Sequence, residues 1–429
     1  MNIRFYNARI LTETMDITEG ELWVRGNTIC YIGDGEDVST VRKEPGDVIL
    51  WDREIDVKRN LLMPGFKNAH THSAMTFLRS MADDLPLQEW LNEQVFPNEA
   101  KLKGEEAYLF AKIAIMEYLT SGITSAFDMY IYPKEVIQAC VDCGFRIVQV
   151  SGLNNFTSSL EELEEQYVTY NDYHELCSYK LGFHAEYTTD KKLLEGLAGL
   201  SEKYHAPVYT HNSETKREVE ECRQRYGKSP TQLFEEMGLY RYGGGGYHCI
   251  WFDDEGIDIF AKRNLSVVTN PASNLKLASG IAPLKKMQEA GINLAIGTDG
   301  PASNNCLDMF REMFLVTGLA KLREHDAAVM DANDVLYMAT TGGAKAMGLS
   351  DCDCLAVGKK ADLFLMDLMQ PNMQPEHNLT KNLVYSGSKQ NVKLTMVNGK
   401  ILYEDGQFFI SEEPQEIYKK ANEIVSRMK

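Results

Sequence analysis

The sequence predicts an α/β protein: a (β/α)8 TIM barrel carrying a small β-sandwich domain formed from both termini. Three observations predict it. The middle of the chain alternates short apolar runs with amphipathic stretches, eight times in succession. Both ends instead carry short alternating strands punctuated by turn residues. No glycine-rich phosphate turn follows the first apolar run of the middle region, as a doubly wound open sheet would want. The expected division is residues 1–60 plus 350–429 for the composite sandwich and 61–349 for the barrel.

At the N-terminus the strand-like runs are NIRFYNARIL, GELWVRGNTICYIG and DVILWDREIDV, with Gly20, Gly26, Gly33 and Gly46 as turns. The same texture returns in KKADLFLMDL and VKLTMVNGKILYEDGQ, where Asn398-Gly399 is a strong hairpin signal. Between them lie the runs LLMPGFKNAHTH, GITSAFDMY, RIVQVSGL, KLGFHAEYT, PVYTHNSET, GYHCIWF, LSVVTNP and NLAIGTDG. Helical patterns such as EEAYLFAKIAIMEYLTSG, PKEVIQACVDCG, DKKLLEGLAGLSEKYH and IAPLKKMQEAG separate them. The glycines from Gly243 to Gly246 precede a strand, so they read as a flexible loop entering it and not as a phosphate cradle.

Bulk properties bound the partners. The chain has 429 residues, 44% of them hydrophobic and 25% charged, with a formal net charge of −18. That charge argues against a nucleic-acid backbone as partner and leaves a small uncharged molecule open. No basic region followed by an apolar stretch opens the sequence, and no run of about 18 apolar residues appears, so neither a secretory signal nor a membrane span is expected. The nine cysteines form no framework pattern, which fits reduced thiols in the cytoplasm. Cys140 and Cys143 lack further ligands at zinc spacing and read as two small buried residues one helical turn apart; Cys352 and Cys354 suggest no role. A cytoplasmic homo-oligomer acting on a small molecule, with no nucleic acid or membrane, is the expectation.

In a barrel the reactive residues sit at the C-terminal ends of the strands. Of the nine histidines, His70 and His72 end the first run, His184 the fourth, His211 the fifth and His248 the sixth; Asp299 ends the eighth. His174, His205, His325 and His377 fall in helical or loop sequence and need no function. At spacing two in a strand, His70 and His72 point to one face and can chelate one ion. An isolated H-x-H is a weak signal, and it sharpens because His211 and Asp299 recur at strand ends. Three imidazoles and a carboxylate suit one divalent ion, Zn2+ first, with Fe2+ or Mn2+ as alternatives, and leave a position for water. The structural alternative for Asp299 is a helix N-cap. Glu214, three residues after His211, can shuttle protons without ligating the metal, its alternative being a helix first-turn residue complementing the dipole. His248 stands beside the strands carrying His211 and Asp299, which favours a site role over a core histidine.

The segment PGFKNAHTHSAMTFLRSMADDLPLQEWLNEQVFPNEAKL resembles the first metal motif of the amidohydrolase superfamily. HAEYTT, HNSET, HCIWF, NPASNLKLASGIAPL, GTDGPASNNCLDMFREM and VGKKADLFLMDL continue the likeness in order, so it covers nearly the whole chain. It is most similar to the branch of S-adenosylhomocysteine/methylthioadenosine deaminases and triazine chlorohydrolases. The resemblance implies that His70, His72, His211 and Asp299 hold the metal, and that Glu214 and His248 transfer protons and orient the attacking oxygen. The fourth strand ends without a Lys, so a carbamylated lysine bridging two metals is absent and a single metal is implied. In the nucleoside deaminases of this branch, positions matching Trp90, Glu99 and His184 contact the nucleoside, so the resemblance implies that Glu99 accepts from the ribose hydroxyls.

The function this implies is hydrolytic deamination of an adenine nucleoside. The alternatives are deamination of guanine, a pterin, cytosine or a triazine, or a non-catalytic barrel. One departure from the branch bears on the substrate. Relatives acting on S-adenosylhomocysteine carry arginines between strands three and four; here SGLNNFTSSLEELEEQYVTYNDYHELCSYK has none, and holds Glu161, Glu162, Glu164, Glu165, Asp172 and Glu175. Adenosine, 5′-deoxyadenosine and methylthioadenosine are therefore expected ahead of S-adenosylhomocysteine.

Overall fold

The computed structural model of the protein describes residues 1–35, 50–81 and 83–428. Eight parallel strands lie in sequence order: Phe66–Thr71, Ile123–Met129, Arg146–Val150, Cys177–Gly182, Val208–Asn212, Gly244–His248, Ser266–Thr269 and Asn293–Ile296. The sheet closes where the Asp299 N–H donates to the His70 carbonyl at 2.9 Å. Beside that bond, the Asn68 side chain meets both the amide and the hydroxyl of Thr298, at 2.8 and 2.7 Å. Most of these strand residues are buried, because helices cover one face and the barrel interior the other. The covering helices start where the sequence offers an oxygen to a free N–H: Ser159, Asp190, Thr215, Asp253 and Asp308 each cap one. The predicted eight-unit barrel is thus the observed one.

A second, mixed sheet is assembled from both ends of the chain. Asn2–Leu11 pairs with Ile17–Arg25, which pairs with Thr28–Gly33, while Leu363–Met366, Val392–Val397, Lys400–Glu404 and Gln407–Phe408 enter from the other terminus. Leu61–Pro64 joins the two sets, parallel to Asn2–Leu11 and antiparallel to Leu363–Met366. Ile3, Phe5, Ile10, Leu22, Val24, Leu363 and Leu394 belong to a core of its own. Asn398 and Gly399 have φ of 49° and 75°, the positive values a two-residue hairpin turn of this hand requires. An ion pair between Arg146 and Asp362, at 2.7 and 3.0 Å and fully enclosed, ties the third barrel strand to this sheet.

We propose residues 1–60 plus 350–429 and residues 61–349 as the two units; Leu61–Pro64 pairs within the terminal sheet just before the barrel begins at Phe66.

One expectation is corrected. Gly244 to Gly246 are not a flexible loop; they are the first three residues of the sixth barrel strand, in register with Val208 to Thr210. A Cβ at Gly244 would meet the Val208 carbonyl oxygen at 1.9 Å, and one at Gly245 the Ser266 oxygen at 2.5 Å. Close approach of neighbouring backbones, not mobility, demands glycine there. Gly46 and the opening Asp47–Val48–Ile49 of the third N-terminal run lie outside the described residues. Cys140 and Cys143 are buried on one helix, and all nine cysteines are free. Among the described residues no helix is long and apolar enough to cross a membrane.

Candidate active site

The strand ends bring six predicted residues together. His70 is the penultimate residue of the first strand and His72 follows it, their rings 4.8 Å apart. His211 Nε2 lies 3.2 Å from His70 Nε2. Asp299 Oδ1 lies 3.2 Å from His72 Nε2 and 3.7 Å from His70 Nε2. Asp299 sits in a left-handed backbone conformation, φ 58°, which Asp tolerates better than most residues. It is not a helix N-cap: the next helix, Met309–Glu324, is capped by Asp308.

These residues fit a metal. Ligands at zinc bond lengths in a tetrahedron stand roughly 3.4 Å from one another, close to the separations here. The donor atoms of His70, His72 and Asp299 lie within 4.8 Å of one another, as do those of His70, His211 and His248. The imidazoles are also aimed. His72 Nδ1 donates to the Met129 carbonyl at 2.5 Å and His211 Nδ1 to the His184 carbonyl at 2.7 Å. A carbonyl only accepts, so Nδ1 carries a proton in both rings and Nε2 is the atom turned towards an ion. His70 stacks on Tyr247, ring centroids 3.8 Å apart.

The charges agree with a ligand set. Burial, together with the neighbouring histidines, holds His70 and His211 well below the usual imidazole range, which keeps them neutral. Burial alone would raise Asp299, but the hydrogen bond from His72 and the surrounding imidazoles hold its carboxyl well below the usual range. His72 behaves oppositely: burial lowers it, yet the hydrogen bond and charge of Asp299 push it up to about 9. An ion entering the site must therefore displace that proton at neutral pH. Zinc affinity is expected to fall about 10-fold for each pH unit below 9, and chelator competition across pH 6–8 checks it. A flat profile would mean that His72 is not protonated in the free site.

Two further groups face the same point. His248 Nε2 lies 3.9 Å from both Glu214 Oε2 and Asp299 Oδ2. Its Nδ1 donates to Asn274 Oδ1 at 2.7 Å, so its Nε2 too is free on the site side. Glu214 is not a helix first-turn residue, since Thr215 caps the helix that begins at Lys216. Its carboxyl is buried, accepts from Ser279 at 3.3 Å, and is raised above the ordinary value chiefly by burial. Glu218 accepts the N–H groups of Ser213 and Glu214, at 2.9 and 2.8 Å, and so pins the backbone that carries Glu214.

A cavity of about 710 Å³ opens over these groups. Trp90, Glu99 and His184 line it together with His72, His211, Glu214, His248 and Asp299, so the structure brings every predicted site residue except the buried His70 to its wall. Burial pushes Glu99 up to about 7, with Tyr130 favouring its charged form, and lowers His184 to about 4. His184 Nδ1 pairs with Thr188 Oγ1 at 2.8 Å. The wall extends to Asn154, Thr157, Leu163, Gln166 and Tyr179, and among the described residues it includes no Lys or Arg. Residue-by-residue reading of the sequence missed Ser273, Asn274, Ser279 and Ser303. They lie in the segments after strands seven and eight and bond to site residues from there, so they carried no strand-end signal of their own.

The chain is similar to known proteins over nearly its whole length. Residues 61–402 match the model of the amidohydrolase family. A 5-methylthioadenosine/S-adenosylhomocysteine deaminase from Thermoanaerobacter pseudethanolicus is 35% identical over the full length of both chains. A 5′-deoxyadenosine deaminase from Methanothermobacter thermautotrophicus is 37% identical, covering 95% of this chain and 96% of the other. The crystal structure of an adenosine deaminase from Xanthomonas campestris with bound zinc superimposes with a TM-score of 0.92 at 32% identity, covering 99% of this chain and 98% of that one.

Proposed function

The chain belongs to the amidohydrolase family, and from that premise we propose that it is a metal-dependent hydrolytic deaminase of adenine nucleosides, releasing ammonia. The observation that carries this reading is the convergence of His70, His72, His211 and Asp299 beside Glu214 and His248, at one end of a cavity walled by Trp90, Glu99 and His184.

His70, His72, His211 and Asp299 would hold the ion, with Zn2+ favoured by the nitrogen-rich donor set and Fe2+ or Mn2+ as alternatives. When bound, the ion acidifies water, making it a nucleophile at neutral pH. Asp299 and His248 take and orient the proton of that water, whose oxygen adds to C6 of the adenine ring. Glu214, whose neutral form burial favours, delivers a proton to the adjacent ring nitrogen, so the ring can accept the electron pair. The proton taken up by Asp299 and His248 passes to the C6 amine, the C6–N bond breaks to release ammonia, and the C6 hydroxyl proton returns to Glu214, leaving an inosine-type product. Trp90 packs against the nucleoside, and Glu99 accepts from its ribose hydroxyls, while His184 contacts the base side of the cavity. The partner is a small molecule; the net charge of −18 disfavours nucleic acid. We place the enzyme in the cytoplasm as a homo-oligomer, away from membranes.

The cavity wall also bears on the 5′ group. It offers amides, hydroxyls and aromatic rings, with Glu162 as a further carboxylate, and no Lys or Arg among the described residues. A zwitterionic homocysteine tail would leave its carboxylate unpaired. Adenosine, 5′-deoxyadenosine and methylthioadenosine are expected to exceed S-adenosylhomocysteine in kcat/KM by about 10-fold or more, and free adenine by a similar factor. Ammonia release from the five compounds, measured side by side, tests this. A lead for S-adenosylhomocysteine would overturn the 5′ reading; a lead for adenine, guanine or a pterin would overturn the ribose role of Glu99.

A further inference from the structure

We propose that Glu312 is a positioning residue for the reaction above, on which this inference rests: one buried carboxylate that sets both His248 and Asp299 from behind the site. Glu312 lies in the first turn of the helix Met309–Glu324, with no exposed surface, and does not line the cavity. Its two oxygens serve two different segments. Oε2 accepts the Ala272 N–H at 3.0 Å, and Oε1 accepts from Asn304 Nδ2 at 2.8 Å.

Each segment leads to a reacting group. Ala272 is the second residue of the short helix Pro271–Lys276 after strand seven, and the next two residues both reach the site. Ser273 Oγ donates to Asp299 Oδ2 at 2.5 Å, and Asn274 Oδ1 accepts from His248 Nδ1 at 2.7 Å. Asn304 Nδ2 donates in addition to the carbonyl of Thr298 at 2.7 Å, the residue just before Asp299. A shift at Glu312 therefore moves the partner that fixes the His248 tautomer, and also the backbone that carries Asp299. A carboxyl group brings two oxygens to two converging N–H groups, one to each. Burial works against its charged form and pushes it up to about 8, while both N–H contacts favour that form.

The test is Glu312→Gln, which keeps size and loses one acceptor. Thermal unfolding serves as the control for folding. We expect kcat to fall about 10-fold or more, with nucleoside KM changed less than about 3-fold, because Trp90, Glu99 and His184 come from other loops. Zinc affinity, read by chelator competition on the purified protein, should fall about 10-fold through Asp299. A folded variant with unchanged kcat and unchanged zinc affinity would overturn the proposal, since a merely structural role lowers the melting temperature alone. If Glu312→Gln does not fold, Asn304→Ala, which cuts one of the two arms, decides on the same two readouts. The zinc readout needs no substrate. Absence of ammonia release by the wild type would therefore defeat the deaminase reading and still leave the Glu312 proposal decided.

Discussion

Removal of the metal is expected to cut turnover by more than about 10³-fold, and added zinc to restore it. The expectation rests on the charge state of the four ligands. His70 and His211 are buried and held neutral, with their Nε2 atoms facing each other across the site, and Asp299 is ionised between imidazoles. None of them is placed to activate water unaided: neutral imidazoles at 3.2 Å share a single point, and Asp299 already accepts from Ser273, Ser303 and Gly300. The barrel itself should survive, because its closure depends on backbone bonds such as Asp299 to His70 and on the buried strands. Dialysis against a chelator, followed by ammonia assays during zinc titration, checks this. Metal-free protein retaining a tenth or more of the activity would contradict it.

Glu214→Gln is expected to lower kcat by about 10²–10⁴-fold while leaving the metal bound. Gln keeps the shape of Glu214 and can still accept from Ser279, and Glu218 continues to hold the loop through the backbone N–H groups of Ser213 and Glu214. What disappears is the ability to deliver a proton to the ring nitrogen. The loss should therefore fall on kcat, with zinc content and nucleoside KM close to those of the parent. Metal analysis and steady-state kinetics of the variant check it, and kcat within about 3-fold of the parent would show that Glu214 transfers no proton.

Much of this was legible in the sequence because barrels put chemistry at strand ends. His70, His72, His211, His248 and Asp299 each stand at the end of an apolar run, and the chain order of the eight runs is the order of the strands. Trp90 and Glu99 were accessible only through resemblance, since their helical segment has no periodic pattern that points into a cavity; His184 ends the fourth run, and only its contact with the nucleoside came from the resemblance. Gly244 to Gly246 misled because glycine signals a loop by default, while here neighbouring backbones leave no space for a side chain. Glu312 was invisible for a different reason. An acidic residue in a first helical turn is the commonest of placements, and only the fold reveals that its two oxygens meet Ala272 and Asn304.

The central claim is that this barrel uses one metal and Glu214 to replace the C6 amine of an adenine nucleoside with oxygen. Incubating zinc-loaded protein with adenosine or methylthioadenosine and quantifying ammonia together with the nucleoside product tests it most directly. The account predicts equal amounts of ammonia and the 6-oxo nucleoside, with neither formed by the metal-free protein. Zinc-loaded protein that binds the nucleoside and releases no ammonia would contradict it.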